Sequence, residues 1–277
     1  MRIRATAIGL LAAAALAVGP AEAQTGSASK SITNDNRLFQ RFIEDGAVTE
    51  GNRLEGQFRY QSFDDADAVL VSPILAFNIA EDIEIGGRIG LLTANPDPGD
   101  TETGFTDLDL YGKIRLTTQP TQLALGILIK FPSGDETKSI LHGTGEIDVA
   151  FFGGLRHDFG RLSLVANAGF RVNQDPQPDA AIPGRPARGS AGWQEPEGEL
   201  SLQAGGGLLF AMTEKLSGVV EVSYETERVD GIGSDFRLTL GAEYRAAESF
   251  GMRFGAAWGV GDMAPNYEAI GSAVLFF

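Results

Sequence analysis

The chain closes on Y-E-A-I-G-S-A-V-L-F-F, residues Tyr267 to Phe277. Tyr267, Ala269, Gly271, Ala273, Leu275 and Phe277 share one parity, and Glu268 and Ser272 share the other. A β-strand turns successive side chains to opposite faces, so this stretch reads as a strand with one apolar side that ends on an aromatic. Soluble domains seldom stop inside a sheet, because terminal residues are usually exposed and frayed. In an outer-membrane barrel the last strand pairs with the first, and an aromatic sits in the interfacial girdle. Closure of the last strand onto the first is therefore the working expectation.

The same period of two recurs upstream. Leu54, Phe58 and Tyr60 open the series, with Arg53, Glu55, Gln57 and Arg59 on the opposite parity. Val69 to Ile79, Ile83 to Leu91, Leu108 to Leu116 and Leu123 to Phe131 continue it. Further runs are Ile147 to Leu155, Leu162 to Phe170, Leu200 to Phe210, Leu216 to Tyr224, Phe236 to Tyr244 and Phe250 to Trp258. Nothing at helical spacing competes over comparable lengths. The runs suit tilted membrane strands of about 9–11 residues, and the second parity mixes Gly and Ser with Arg and Glu, as a crowded lumen requires. Connections alternate between tight turns such as Asp158 to Arg161 and longer segments such as Asn173 to Gly198. The fold class expected is all-β: a transmembrane up-and-down antiparallel barrel of about twelve strands.

Ahead of the barrel, Met1 to Ala23 carries Arg2 and Arg4, an apolar run, and Ala21-Glu22-Ala23. This reads as a secretory signal peptide with an A-x-A cleavage site. Residues 24–52 read as an N-terminal periplasmic segment, with Leu38, Phe39, Phe42 and Ile43 on one side of a short helix, and residues 53–277 as the barrel. The chain of 277 residues has no cysteine, which excludes disulfides, thiol catalysis and Cys-ligated metals. A net charge of −15 argues against nucleic acid as a partner.

Three motifs carry most of the remaining signal: T-D-L-D-L-Y-G-K at Thr106 to Lys113, A-L-G-I-L-I-K-F-P-S-G-D ending at Asp135, and G-T-G-E-I-D ending at Asp148. They contribute Asp107, Lys113, Lys130, Pro132, Gly134, Asp135, Gly143, Gly145, Glu146 and Asp148. Read physically, Pro132 to Asp135 and Gly143 to Gly145 are turn geometry, while Lys130 with the carboxylates around it forms cross-strand pairs. On these residues the chain resembles the outer-membrane family named for the meta-pathway of phenol degradation, over roughly Leu54 to Phe277. That resemblance implies a transporter or narrow channel for small hydrophobic or aromatic compounds, in the outer membrane.

Lumen residues available to a solute are Asp107, Asp109, Lys113, Lys130, Glu146, Asp148, Arg171, Glu221, Glu225 and Arg237. Placed by height, the acidic ones gather toward the outer mouth, and Arg53, Arg88, Lys113, Arg115, Arg156, Arg245 and Arg253 toward the periplasmic end. The partners expected are membrane lipid and lipopolysaccharide, the assembly machinery through the strand ending at Phe277, and a small hydrophobic solute. No cofactor and no metal is expected. Two alternatives stand beside transport: a structural or adhesive barrel, and a lipid hydrolase using His142, which shares a loop with Ser133, Asp135 and Ser139 but lacks a G-x-S-x-G elbow.

Overall fold

The computed structural model describes residues 37–39, 47–48, 51–97, 99–134, 142–175, 197–230 and 233–277. The expected signal peptide and most of the expected helix lie outside these residues. Fourteen strands form one sheet: β1 (Arg53–Ser62), β2 (Ala66–Ala80), β3 (Ile83–Arg88), β4 (Leu91–Pro96), β5 (Glu102–Phe105), β6 (Leu108–Arg115) and β7 (Thr121–Phe131). The series continues with β8 (Asp148–Asp158), β9 (Leu162–Val172), β10 (Leu200–Ala211), β11 (Leu216–Glu225), β12 (Asp235–Ala247), β13 (Phe250–Val260) and β14 (Tyr267–Phe276).

Every neighbouring pair is antiparallel, and β1 pairs with both β2 and β14, so the sheet closes on itself; only the short β5, paired with β4 alone, keeps an unpaired side among the described residues. Closure satisfies the backbone polar groups where no water is at hand, which is what a membrane-crossing sheet requires. At the seam Arg53 lies opposite Phe276 and Ser62 opposite Tyr267, in unbroken register. Below it, the Asn52 and Phe277 backbones exchange two hydrogen bonds of 2.9 and 3.1 Å. The final aromatic therefore completes the seam rather than trailing from it.

Side-chain alternation settles which parity faces out. Phe58 is 47% exposed, whereas its neighbours Gln57 and Arg59 are buried. The outer surface is a continuous coat of Leu, Ile, Val and aromatic side chains, among them Val71, Leu125, Phe170, Leu202, Phe254 and Leu275. Arg156, Arg171, Glu55, Glu84, Glu225 and Glu268 are buried on the inside. This inversion of the soluble pattern is the physical signature of a barrel whose solvent is lipid.

Twelve staves build the wall from fourteen strands, because two staves are interrupted. β3 and β4 both pair with β2, at Ile74–Ala80 and Ala66–Val71 respectively, and together make one stave broken at Ile89 and Gly90. β5 pairs with β4 and β6 with β3, so the next stave breaks at Thr106 and Asp107. The sequence had suggested one uninterrupted strand over Ile83–Leu91. Ile89, assigned outward by its parity, instead faces the interior cavity described below.

The break is stitched by polar groups. Thr106 N–H donates to the Gly90 carbonyl at 2.8 Å, and the Thr106 hydroxyl accepts from Gly90 N–H at 2.9 Å. Asp107 N–H donates to the His142 carbonyl at 2.9 Å, while its carboxylate accepts from Gly134 N–H at 3.0 Å and Thr144 N–H at 3.3 Å. The connection between β7 and β8 is thereby pinned into the gap. Gly134 and Gly143 are needed there for close approach: a Cβ on the first would collide with the His142 carbonyl and on the second with the Asp107 carboxylate. The glycines of the family-like motif thus have a geometric role, as turn chemistry suggests.

Two outcomes test this architecture. Deleting Phe277 removes two seam hydrogen bonds, together about 1–3 kcal/mol, and a girdle aromatic. The yield of heat-modifiable barrel should fall below that of the full chain, and equal yields would contradict the assignment. Asp107→Ala leaves two amides without their acceptor, at about 1–3 kcal/mol each. Gly134 and Thr144 should then lose protection from amide exchange, while Asp107→Asn, which keeps one acceptor oxygen, should lose less.

Candidate functional site

The lumen is divided by residues 37–39, which thread between its walls. Arg37, Leu38 and Phe39 carry no regular secondary structure, and all three are buried; Phe42 and Ile43 of the expected short helix lie outside the described residues. Leu38 and Phe39 pack in one apolar cluster with Val165, Leu209, Val219 and Ile270, which project inward from four staves. Small wall residues make the room. A Cβ on Gly207 would come within 2.9 Å of Leu38 Cδ2, and one on Gly241 within 2.5 Å of Phe39 Cε2.

Polar wall groups hold the segment by its backbone. Arg59 Nη2 donates to the Phe39 carbonyl at 2.8 Å, and Phe39 N–H donates to Glu221 Oε2 at 2.6 Å. Arg253 donates to the carbonyls of Arg37 and Leu38, and its guanidinium lies 4.2 Å from the Phe39 ring centre. The Arg37 side chain reaches Glu84 at 3.0 Å and the Ala47 carbonyl. The carbonyls of Arg37, Leu38 and Phe39 and the Phe39 amide thus meet charged partners, which is how irregular backbone is tolerated at that depth.

On the side of the segment nearer the termini, charges are locked together. Arg253 pairs with Glu55 at 3.1 Å and stands 3.3 Å from Glu243, and Arg53 contacts Glu55. Lys113 reaches Glu84 at 3.0 Å, and Tyr111 donates to the same carboxylate at 2.9 Å. Lys113, a candidate from sequence, belongs to this cluster, and Glu221 belongs to the segment's seat.

Beyond the segment, toward the longer connections, lies a cavity of about 140 Å³. Charged side chains follow one another around its wall. Arg88, Asp109, Lys130 and Asp148 stand directly opposite one another on β3, β6, β7 and β8. Arg171, Glu225, Arg237, Glu268 and Arg59, on β9, β11, β12, β14 and β1, follow around the wall with alternating sign, though not as direct opposites: neutral residues such as Ala150, Ser201, Gly259 and Ala257 face them. Bonded links are Arg88–Asp109 at 2.7 Å, Arg237–Glu268 at 2.6 Å and Arg59–Glu268 at 2.6 Å. Lys130–Asp148 at 3.6 Å and Arg171–Glu225 at 3.7 Å are looser. At β2 the row is interrupted by Ser72 and Leu70, which also line the cavity.

Seven sequence candidates therefore meet here: Asp107, Asp109, Lys130, Asp148, Arg171, Glu225 and Arg237. Glu146 does not line the cavity and is half-buried in the preceding connection. The sequence placed Lys130 between Asp107 and Asp109 on one side and Glu146 and Asp148 on the other. In the structure its direct opposites are Asp109 and Asp148 only. Arg88 was assigned to the periplasmic half, yet it shares the height of Asp109; the broken stave hid its position. Arg228 and Asp235 were overlooked because they sit at or beyond strand ends, where parity gives no signal. Arg228 bonds Glu225 at 2.6 Å, and Asp235 bonds Arg237 at 2.5 Å.

These additions change the balance of charge. The cavity is lined by the cations Arg59, Arg88, Lys130, Arg171, Arg228 and Arg237, against the carboxylates Asp107, Asp109, Asp148, Glu225 and Asp235. Among the described residues that line the cavity, the acidic excess expected of this half of the lumen is not found. His142 also borders the cavity; Asp135 and Ser139, its suggested companions, lie outside the described residues.

The sequence matches no family description and no curated protein. Solved structures do match in fold. An outer-membrane channel from Pseudomonas putida F1 aligns with 83% of this chain and 97% of its own, at 12% identity and a TM-score of 0.65. The NanC porin aligns with 81% and 99%, at 10% identity and a TM-score of 0.54. The KdgM porin, solved in complex with disordered oligogalacturonate, aligns with 80% and 99%, at 8% identity and a TM-score of 0.50. The chain has the closed twelve-stave architecture of an outer-membrane channel.

Proposed function

We propose that this chain is a narrow outer-membrane channel for small hydrophobic or aromatic solutes, closed at rest by Arg37–Phe39. The observation that carries the reading is the seat of Phe39. The barrel wall gives up side-chain volume at Gly241 and supplies Glu221, Arg59 and Arg253 to hold a segment across its own lumen. A barrel whose lumen served only as a structural core would have no need of a separate segment there. Filling the same space with wall side chains, as small barrels do, is the simpler solution.

With the termini at the periplasmic end and the longer connections outside, the cavity becomes an outer vestibule. Its volume is near the roughly 150 Å³ that admits a benzene ring in an engineered apolar cavity. Leu70, Ile89, Val229 and Met263 give it apolar wall, and the charge row gives it polar wall. Solutes larger than one ring require movement of the segment or the loops.

The structural or adhesive alternative predicts that loosening the segment changes nothing measurable across the membrane. Phe39→Ala removes the ring that fills the Gly241 recess, at about 3–5 kcal/mol of anchoring. In planar bilayers the variant should open more often and for longer than the wild type. Liposomes carrying it should take up phenol several-fold faster. Identical silent bilayers from both proteins would contradict the channel reading.

A further inference from the structure

The charge row is bonded tightly on one side of the barrel and loosely on the other. Arg88, Arg237 and Arg59 each hold a carboxylate at 2.6–2.7 Å. Lys130 and Arg171 do not. Lys130 Nζ stands 3.6 Å from Asp148 Oδ2, and Asp148 already accepts from Gln174 N–H through Oδ1 at 3.2 Å. Arg171 Nη1 stands 3.7 Å from Glu225 Oε1, and both Glu225 oxygens are taken, by Gln203 at 2.5 Å and Arg228 at 2.6 Å. The Arg171 side chain is 2% exposed, and its Nε has no hydrogen-bond partner.

Leaving a guanidinium donor buried and unbonded is costly, because a buried charge keeps its full desolvation penalty until it is paired and hydrogen-bonded. Arg59, Arg237 and Arg253 each reach a carboxylate at 3.1 Å or closer, whereas Arg171 does not, although Arg253 Nε, like Arg171 Nε, is buried without a hydrogen-bond partner. At Lys130 and Arg171 the wall carboxylates are in the right sequence around the barrel but are held off by other donors. Both side chains line the cavity. One oxygen of the neighbouring Asp109, Oδ1, is also buried without a donor.

We propose that Lys130 and Arg171 form a subsite for the carboxylate of a small, single-ring organic acid. A carboxylate presents two acceptor oxygens, which suit a planar guanidinium and an ammonium together. Leu70 and Ile89 supply apolar wall for the ring. The assignment deepens the channel reading, on which the size and ring character of the solute rest; the anion preference rests on the wall alone.

The test compares three probes of one shape and different charge: benzoate, phenol and benzylamine. Each is titrated calorimetrically into the full-length, cysteine-free protein in detergent, with heat-modifiable migration on gels as the check of folding. Benzoate should bind at least tenfold more tightly than benzylamine. Arg171→Gln and Lys130→Gln should each weaken benzoate about tenfold or more and leave phenol unchanged, and Arg171→Lys, which keeps the charge, should lose less. Equal binding of benzoate and benzylamine by the wild type overturns the subsite even if no variant folds. Full benzoate affinity in folded Arg171→Gln overturns it as well. Phenol flux through liposomes without benzoate binding sinks the subsite and leaves the channel; benzoate binding without any flux supports the subsite and sinks the channel.

Discussion

Arg253 is the contact around which the segment crossing the lumen is organised. Its guanidinium pairs with Glu55, donates to the carbonyls of Arg37 and Leu38, and covers the face of Phe39. A single inward side chain thereby ties β13 to β1 and fastens both to the segment that crosses the lumen. Removing one partner of such a buried, hydrogen-bonded set costs about 3–5 kcal/mol, because the remaining charges lose compensation in a dry interior. Its loss would leave Phe39 held by Arg59, Glu221 and the apolar cluster around it.

The wider constraint is neutrality inside a wall of lipid-facing strands. A twelve-stave barrel is too narrow to hydrate every inward side chain, so charges are stabilised by neighbours on adjacent staves. Antiparallel pairing puts those neighbours directly opposite, which is why Arg88, Asp109, Lys130 and Asp148 fall in one row. Where that row meets the broken staves, the wall turns to Thr106, Asp107 and the pinned connection after β7. The cavity lies at that junction, bounded by the interrupted wall, the crossing segment and the loosely bonded part of the row.

Much of this was legible in the sequence because a period of two leaves little ambiguity once the apolar parity faces lipid. Closure through Phe277, the twelve staves and the alternation of short and long connections follow from the strand pattern alone. Seven of the ten lumen candidates reach the cavity for the same reason. The misses share a cause: parity carries no information at a break or beyond a strand end. Arg88 and Ile89 stand at the gap in one stave, and Arg228 lies past the end of β11. The role of Leu38 and Phe39 was hidden differently. Their spacing suited an amphipathic helix, and only the inward glycines at 207 and 241 hinted that the wall had been cleared for something.

The central claim is that Leu38 and Phe39 occupy the lumen in the membrane-embedded protein, and the absence of native cysteine makes it directly testable. Cysteines introduced together by Leu38→Cys and Gly207→Cys, treated in isolated outer membranes with a short bifunctional thiol reagent, should join within one chain and shift its gel mobility. Each single variant should resist a bulky water-soluble maleimide. Free labelling of Cys at position 38 by that maleimide, with no intramolecular bridge in the pair, would show an empty lumen and contradict the account.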